Sequence, residues 1–222
     1  ADTARALAAH GWHCVAPDPY GTGESEGSSE DADWHVWVQD TLALLATLRN
    51  GTGPVVLWGV RTGALLAAAA ACATPAAVSH LLFWQPVLDG SLFLNQYLRL
   101  RIASQVVHAG DKETTDGLRR RLAAGETLEI AGYPLTGGLA TALDGQKMAA
   151  MSAQLPQPLR WLEVVPQPGA AASPASRKLI DSWPTSVQLE TVSCPMVWQV
   201  YDRMAAPELV QGSLRLLKGL GQ

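Results

Sequence analysis

The sequence has few of the residues that carry metal and redox chemistry. Its 222 residues include three cysteines, Cys14, Cys72 and Cys194, which lie far apart. Neither a Cys-x-x-Cys pair nor a cysteine–histidine cluster occurs, so the sequence predicts no zinc site and no disulfide framework. We therefore expect no metal and no cofactor. Reduced thiols are typical of a cytoplasmic protein, which is the localisation that we expect.

Long apolar runs and an excess of positive charge are also missing. The longest apolar run, 64–73, is about half of what a helix needs to cross a bilayer, so we expect no transmembrane segment. The first residues lack the order of a signal peptide. The net charge of −4 argues against a nucleic-acid partner. We accordingly interpret the arginine run 119–121 as one solvated helix face.

Histidine is absent from the second half of the chain. The five histidines are His10, His13, His35, His80 and His108. A histidine that acts as a catalytic base must therefore come from residue 108 or earlier. His80 and His108 flank a predicted strand and the segment that follows it, and either could reach a pocket in space.

What the sequence does contain is a regular alternation of helix and strand patterns. The predicted elements before residue 89 are a helix at 2–10, strands at 13–16, 54–58 and 79–88, and helices at 34–48 and from 63 onward. After residue 158 come strands at 159–165 and 186–193 and helices near 174–183 and from Pro207. This order predicts an α/β fold with a mostly parallel sheet and helices on both faces.

Residues 89–158 interrupt the alternation. They contain several helix patterns and the alternating stretch TLEIAGYPL, which indicates an edge strand or a hairpin arm. An insertion of this size between two sheet strands predicts a cap over the carboxyl edge of the sheet. We expect a single domain over 1–222, with 89–158 as its cap insertion.

The stretch WGVRTG, residues 58–63, reads as a buried strand that turns sharply into a helix. Gly59 and Gly63 fit the steric needs of such a turn. Arg61 occupies its middle, where a guanidinium beside a helix N-terminus would form a site for a carboxylate or phosphate. Alternatively, Arg61 pairs with Asp18 or Glu24 of the adjoining loop and joins the two loops.

Three further residues are candidates for support at this turn. Thr62 is either a displaced nucleophile or a hydroxyl that bonds helix backbone. Asp18 follows a predicted strand, at the edge where open α/β sheets place ligands, and either orients Arg61, acts as a general acid or bonds loop amides. Cys194 follows the last strand and is either a reactive thiol or packing. None of them is a confident catalytic residue.

Two stretches, DPYGTGESEG and WGVRTG, together resemble the α/β-hydrolase fold. The first matches the glycine-rich loop after the fourth strand, and the second the nucleophile elbow after the fifth. The wider sequence, above all 83–105, is similar to the exosortase A system-associated hydrolase 2 group. These bacterial proteins are encoded with exopolysaccharide and protein-sorting systems. The resemblance implies an α/β-hydrolase-like sheet whose N-terminal strands are missing from this chain.

The resemblance fails at the three positions of a Ser-His-Asp triad. Arg61 replaces the serine and cannot attack a carbonyl because it stays protonated. CPMVWQ (194–199) stands where the histidine would follow the last strand, and PQPGAAASP (166–174) contains no acid.

We therefore expect a hydrolase-like protein that binds, or helps process, an acyl- or glycan-linked substrate, with a small acyl or anionic ligand at Arg61. One alternative is an unconventional ester or thioester hydrolase or acyltransferase that uses Thr62, Cys194 or a base from the cap. Another is a non-catalytic module whose cap binds a protein partner.

Overall fold

The structure, a computed structural model, describes residues 2–48, 53–105, 113–198 and 204–220. The chain forms two compact units. We call residues 1–16, 45–86 and 149–222 the sheet unit, and residues 17–44 and 87–148 the helical unit. Most of the predicted insertion 89–158 lies in the helical unit, together with residues 17–44. Its role as a cap stays a prediction.

Helices and strands follow each other largely in the predicted order. The elements are α1 (Asp2–Ala8), α2 (Trp34–Leu48), β1 (Val56–Val60), α3 (Gly63–Ala73), β2 (His80–Trp84), α4 (Gly90–Gln105), α5 (Thr115–Ala123), β3 (Leu128–Ile130), β4 (Tyr133–Leu135), α6 (Gly137–Asp144), α7 (Met148–Ser152), β5 (Leu159–Val164), α8 (Pro174–Asp181), β6 (Val187–Val192) and α9 (Pro207–Leu217). Among the described helices, none is long and apolar enough to cross a membrane.

The sheet unit contains a parallel sheet in the order β1-β2-β5-β6. Val60 pairs with Trp84, and Trp84 with Leu162, so the carboxyl ends of the central strands meet at one edge. The predicted parallel sheet is thereby confirmed. The strand boundaries differ most at β1, which spans Val56–Val60 rather than 54–58, and at β2, which ends at Trp84, before Pro86.

The strand predicted at 13–16 does not form. Its residues are exposed and belong to no strand. β1 forms a ladder with β2 alone, and no described strand pairs with its other edge. An extended segment stabilises itself as a strand only through ladder hydrogen bonds to a neighbour. Because residues 13–16 have no such neighbour, they form a loop whose backbone is open to water.

One face of the sheet packs against α1 and α9. Alternate residues of neighbouring strands, Leu82, Trp84 and Leu162, are buried in one cluster with apolar residues of both helices. The indole Nε1 of Trp84 donates to Ser213 Oγ of α9 at 3.0 Å. This bond satisfies the polar atom of a large buried ring and attaches α9 to the middle of the sheet.

The opposite face packs against α3 and α8. Phe83, between Leu82 and Trp84 in β2, points to this side and meets Trp183 edge-on at a centroid distance of 6.4 Å. The alanine-rich helix α3 is buried along most of its length. Helices therefore cover both faces of the sheet, as the sequence predicts.

The helical unit is built from α4, α5 and α6, most of α2 and a small hairpin. The stretch predicted as an edge strand or hairpin arm supplies both arms of this hairpin, β3 and β4, which pair antiparallel. At the start of α4, Gly90 donates its N–H to Gln146 O at 2.9 Å. A Cβ at Gly90 would overlap the carbonyl group of Leu143 at the end of α6, so only glycine allows this close approach.

The arginine run of α5 is not one solvated face, contrary to prediction. Arg119 donates from Nε to Asn95 Oδ1 at 2.7 Å and from Nη1 to Asp144 Oδ1 at 2.7 Å. Its Nη2 donates to the backbone and hydroxyl oxygens of Ser91, both at 3.2 Å. One guanidinium thus joins α4, α5 and α6. The sequence pattern could not show this because the acceptors come from distant parts of the chain.

Replacement of Gly90 by alanine should destabilise the protein by about 1–3 kcal/mol, because the added methyl group overlaps fixed backbone. The matched control is Gly138→Ala in α6, where nothing lies within 4 Å of an added Cβ. Gly138→Ala should raise the free energy of unfolding by up to about 1 kcal/mol, because alanine has a higher helix propensity than glycine. Urea unfolding measures both free energies. Equal effects of the two changes would contradict the packing described here.

Replacement of Arg119 by lysine should also lower the free energy of unfolding, by about 1–3 kcal/mol, because a single ammonium cannot satisfy acceptors on two helices. Arg120, the exposed neighbour, provides the control: Arg120→Lys should change stability by less than about 0.5 kcal/mol. Thermal and urea unfolding of both variants measure the two changes in stability. The network has no structural role if Arg119→Lys unfolds like the control.

Candidate functional site

The turn between β1 and α3 has the sharp geometry that its sequence indicates. β1 ends at Val60 and α3 begins at Gly63, so two residues connect the strand to the helix. Arg61 has a φ of 55°, which lies in the left-handed region. A residue with a Cβ pays about 1–2 kcal/mol for this conformation. Arg61 therefore occupies the strained position of a strand–turn–helix elbow.

The two glycines of this turn differ in importance. A Cβ at Gly59 would overlap the backbone of Ala64 and the carbonyl oxygen of Gly63. Gly59 thus allows α3 to start directly against β1, as predicted. At Gly63 nothing lies within 4 Å of an added Cβ, and its φ is not in the left-handed region. The steric need that the sequence suggested for Gly63 is therefore wrong.

The Arg61 side chain is held by two neighbours of the sheet unit. Its Nη1 donates to the carbonyl oxygen of Gln85 at 3.0 Å. Its Cζ lies 5.8 Å from the ring centroid of Trp198, within the range of a cation–π contact. No described acid of the sheet unit forms an ion pair with it. Burial lowers the pKa of Arg61, yet a guanidinium stays protonated in proteins, so the positive charge remains.

Gln85 is a second strained residue at this edge, and sequence reasoning missed it. It follows β2 directly and has a φ of 40°. Its N–H donates to Leu162 O at 2.8 Å, and its side-chain Oε1 accepts from Val164 N at 2.7 Å. Gln85 therefore connects the end of β5 to the guanidinium at the end of β1. The only signal in the sequence is that Gln-Pro directly follows a buried strand.

Three tryptophans surround this part of the sheet unit. Trp58 and Trp84 contact each other with ring centroids 4.7 Å apart, and the carbonyl oxygen of Trp84 accepts from Arg61 N at 3.0 Å. The indole nitrogens of Trp58 and Trp198 are buried and have no hydrogen-bond partner among the described residues. Of these three rings, that of Trp198 is described in contact with the Arg61 guanidinium.

Thr62 is the residue before α3. Its carbonyl oxygen accepts from Leu65 N at 3.0 Å and Leu66 N at 3.2 Å, as at an ordinary helix start. Its hydroxyl forms no capping bond. The expectation that this hydroxyl bonds backbone is therefore wrong, and within the described ranges it has no partner at all.

His80 lies at the opposite edge of the sheet. It is the first residue of β2 and pairs with Val56, whereas the elbow follows Val60 at the other end of β1. Four residues of strand separate these ends by roughly 13 Å. Burial and the nearby Arg160 lower the pKa of His80, which keeps it neutral. His108 lies outside the described residues.

Cys194 is half-buried in the apolar cluster between the sheet and α9. Burial, and secondly the carboxylate of Glu208, raise the pKa of its thiol. A raised pKa leaves less thiolate at neutral pH, which is the opposite of an activated nucleophile. Cys72 in α3 has its thiol pKa raised by burial in the same way.

Glu163 is a buried acid close to the position where the acid of a triad would be sought. Its side chain is 2% exposed. Oε2 accepts from Trp161 Nε1 at 3.0 Å, and Oε1 accepts from Ser173 N at 2.7 Å. Oε1 thus attaches the start of α8 to β5, and Oε2 bonds a side chain within β5 itself. The sequence predicted no acid in the loop after β5, and Glu163 precedes that loop.

Asp18 lies in an exposed loop of the helical unit. Its Oδ2 accepts from Glu24 N at 3.0 Å, and its carbonyl oxygen accepts from Ser25 Oγ at 2.5 Å. This is the interpretation in which the carboxylate bonds loop amides. Asp18 and Glu24 belong to a different unit from Arg61, and their pairing with it stays a prediction.

Within the described ranges, no group of three or more His, Cys, Asp or Glu side chains could hold a metal ion. The elbow brings together one fixed cation and the ring of Trp198. No described histidine of the sheet unit hydrogen-bonds to Thr62 or Arg61. Such an arrangement can bind an anion.

Solved structures with the same fold cover different shares of this chain. Est1E from Butyrivibrio proteoclasticus, solved with bound ferulic acid, has a TM-score of 0.60 at 18% identity and covers 79% of this chain, which spans 65% of Est1E. Rv0554 from Mycobacterium tuberculosis has a TM-score of 0.61 at 18% identity. It covers 98% of this chain, which spans 84% of Rv0554. Mouse alpha/beta hydrolase domain-containing protein 10 has a TM-score of 0.53 at 18% identity. It covers 80% of this chain, which spans 67% of the mouse chain.

Sequence comparison identifies a family. No curated protein sequence matches the chain. The family model described as serine aminopeptidase, S33, matches residues 1–116, which is more than half of the chain. With the parallel sheet and its elbow, this match means that the chain belongs to the serine aminopeptidase S33 family and has an α/β-hydrolase fold.

Proposed function

We propose that this protein uses its elbow to bind an acyl- or glycan-linked substrate through an anionic group, without Ser-His-Asp catalysis. The proposed setting is a bacterial exosortase and exopolysaccharide system, which rests on the sequence similarity of residues 83–105. The free thiols Cys14, Cys72 and Cys194 are consistent with a cytoplasmic location, which is part of the same proposal.

The observation that carries the proposal is the fixed position of Arg61. The Arg61 backbone comes two residues before the start of α3, and the N-terminus of a helix favours negative charge. Gln85 O and the Trp198 ring hold it in place, and no described acid of its unit neutralises it. A half-buried cation without a carboxylate partner is costly unless a ligand supplies the negative charge.

Catalysis by an acyl-enzyme route lacks two requirements. Arg61 stands where a hydrolase carries its attacking oxygen, and a guanidinium is not a nucleophile. Thr62 carries the nearest hydroxyl in sequence, but a hydroxyl needs a base within hydrogen-bond reach. His80 is at the other edge of the sheet, and Glu163 is occupied by Trp161 and Ser173.

We expect no hydrolysis of p-nitrophenyl acetate or butyrate by the purified protein. Wild type, Arg61→Ala and Arg61→Ser should all match the buffer rate, because a serine restored at the elbow still lacks a base. Release of p-nitrophenol, followed by absorbance, measures this. Turnover by the wild type that is lost in Arg61→Ala would contradict the non-catalytic proposal.

An unconventional hydrolase that uses Cys194 remains the alternative in which the protein is an enzyme. The raised thiol pKa predicts slow alkylation of Cys194 by iodoacetamide at pH 7, with a rate that rises with pH beyond the ordinary thiol pKa of about 8.5. Mass spectrometry of the Cys194 peptide measures the rate, and the urea-unfolded chain is the control. Labelling of Cys194 at pH 7 that is faster in the folded protein than in the urea-unfolded chain would favour the enzymatic alternative.

An interaction module is a second candidate, and one feature of the helical unit favours it. Leu92 and Leu100 of α4 are 62% and 52% exposed, and Tyr133 of β4 is 65% exposed. Exposed large apolar side chains are frequent at protein interfaces. Co-purification of a partner that survives Arg61→Glu but is lost in a Leu92→Ser, Leu100→Ser double variant would favour this function over binding at the elbow.

A further inference from the structure

We propose that the elbow selects a carboxylate monoanion carried by an apolar planar group, and that Arg61 binds it through the Nε–Nη2 edge of its guanidinium. This inference rests on the proposed function, because it names the chemical class of the anion bound at the same site. Three observations in the sheet unit carry it: the charge of the site, the orientation of the guanidinium and the aromatic surface around it.

The charge of the site favours a monoanion. Arg61 contributes one positive charge, and it is half-buried, so burial lowers its pKa. A carboxylate neutralises this charge, whereas a phosphate monoester carries about −1.5 to −2 at pH 7. The excess negative charge of a phosphate would lie beside the Trp198 ring, against which no second cation of the sheet unit is described, and this carries a desolvation penalty.

The guanidinium is oriented by its hydrogen bond to the sheet. Nη1 donates to Gln85 O at 3.0 Å, and Gln85 is fixed in turn by Leu162 O and Val164 N. Nε and Nη2 have no hydrogen-bond partner among the described residues. These two groups lie along one edge of a planar fork, which matches the two oxygens of a carboxylate. A lysine ammonium has no such edge.

The ring of Trp198 favours a ligand with an apolar planar body. It lies against the guanidinium, with its centroid 5.8 Å from Arg61 Cζ. Aromatic rings contact one another favourably beyond the area that they bury. A carboxylate attached to a ring or a planar acyl group therefore gains contacts that acetate lacks.

The test uses isothermal titration calorimetry of the full chain at low salt with three probes: sodium benzoate, sodium acetate and inorganic phosphate. Wild type should bind benzoate more tightly than acetate and more tightly than phosphate, each by about tenfold or more. Arg61→Lys, which keeps the charge but loses the fork, should weaken benzoate binding by about tenfold. Arg61→Gln should abolish it.

Two controls separate binding from folding and from general charge. Arg177→Gln removes one exposed positive charge from α8, far along the chain from the elbow, and should leave benzoate binding unchanged. Circular dichroism and thermal unfolding establish that each Arg61 variant is folded. Trp198→Leu removes the aromatic contact of Arg61 but keeps its charge and its bond to Gln85 O, so it should retain acetate binding and reduce the advantage of benzoate over acetate.

The outcomes separate this inference from the proposed function. Phosphate binding that equals or exceeds benzoate binding, lost in Arg61→Gln, overturns the carboxylate class but leaves anion binding at the elbow intact. Benzoate binding of equal strength in Arg61→Lys overturns the role of the fork. Failure of all three probes to bind, or equal binding by folded Arg61→Gln and wild type, overturns both proposals.

Discussion

The close approach of β1 and α3 is the constraint on which the elbow depends. α3 starts so near the strand that only glycine fits at position 59, where a Cβ would overlap Ala64. Because only two residues connect strand and helix, the chain must reverse direction sharply, and Arg61 takes the left-handed conformation. The backbone conformation therefore sets the direction in which the Arg61 side chain leaves the turn. A residue at this position is presented at the carboxyl edge of the sheet whatever its chemistry.

A second left-handed residue completes the edge. Gln85 and Arg61 follow adjacent parallel strands, and the bond from Arg61 Nη1 to Gln85 O joins them. Strain of about 1–3 kcal/mol per residue persists only where neighbouring structure imposes it. Here the ladder to Leu162 and Val164 fixes Gln85, while packing of α3 fixes Arg61.

The sequence predicted the features that depend on local pattern. The parallel strands, the buried α3 and the elbow all followed from apolar runs and glycine spacing. Features that depend on a distant partner could not be predicted. Residues 13–16 have a strand pattern, but no described strand pairs with them. Arg119 has the pattern of a solvated residue, but it donates to acceptors on two other helices. The same holds for Trp198, which reaches Arg61 from far along the chain.

The exchange of an attacking oxygen for a cation changes what this edge of the sheet can stabilise. Catalysis requires interactions that strengthen only as charge develops in the transition state. A permanent cation at the elbow interacts just as well with an anion already present in the ground state, so its binding energy is realised on association. The helix N-terminus of α3 adds to the same effect, because its N–H groups favour negative charge at all times. The strained elbow is thus compatible with the proposed binding site, because the turn preserves the orientation of the cation.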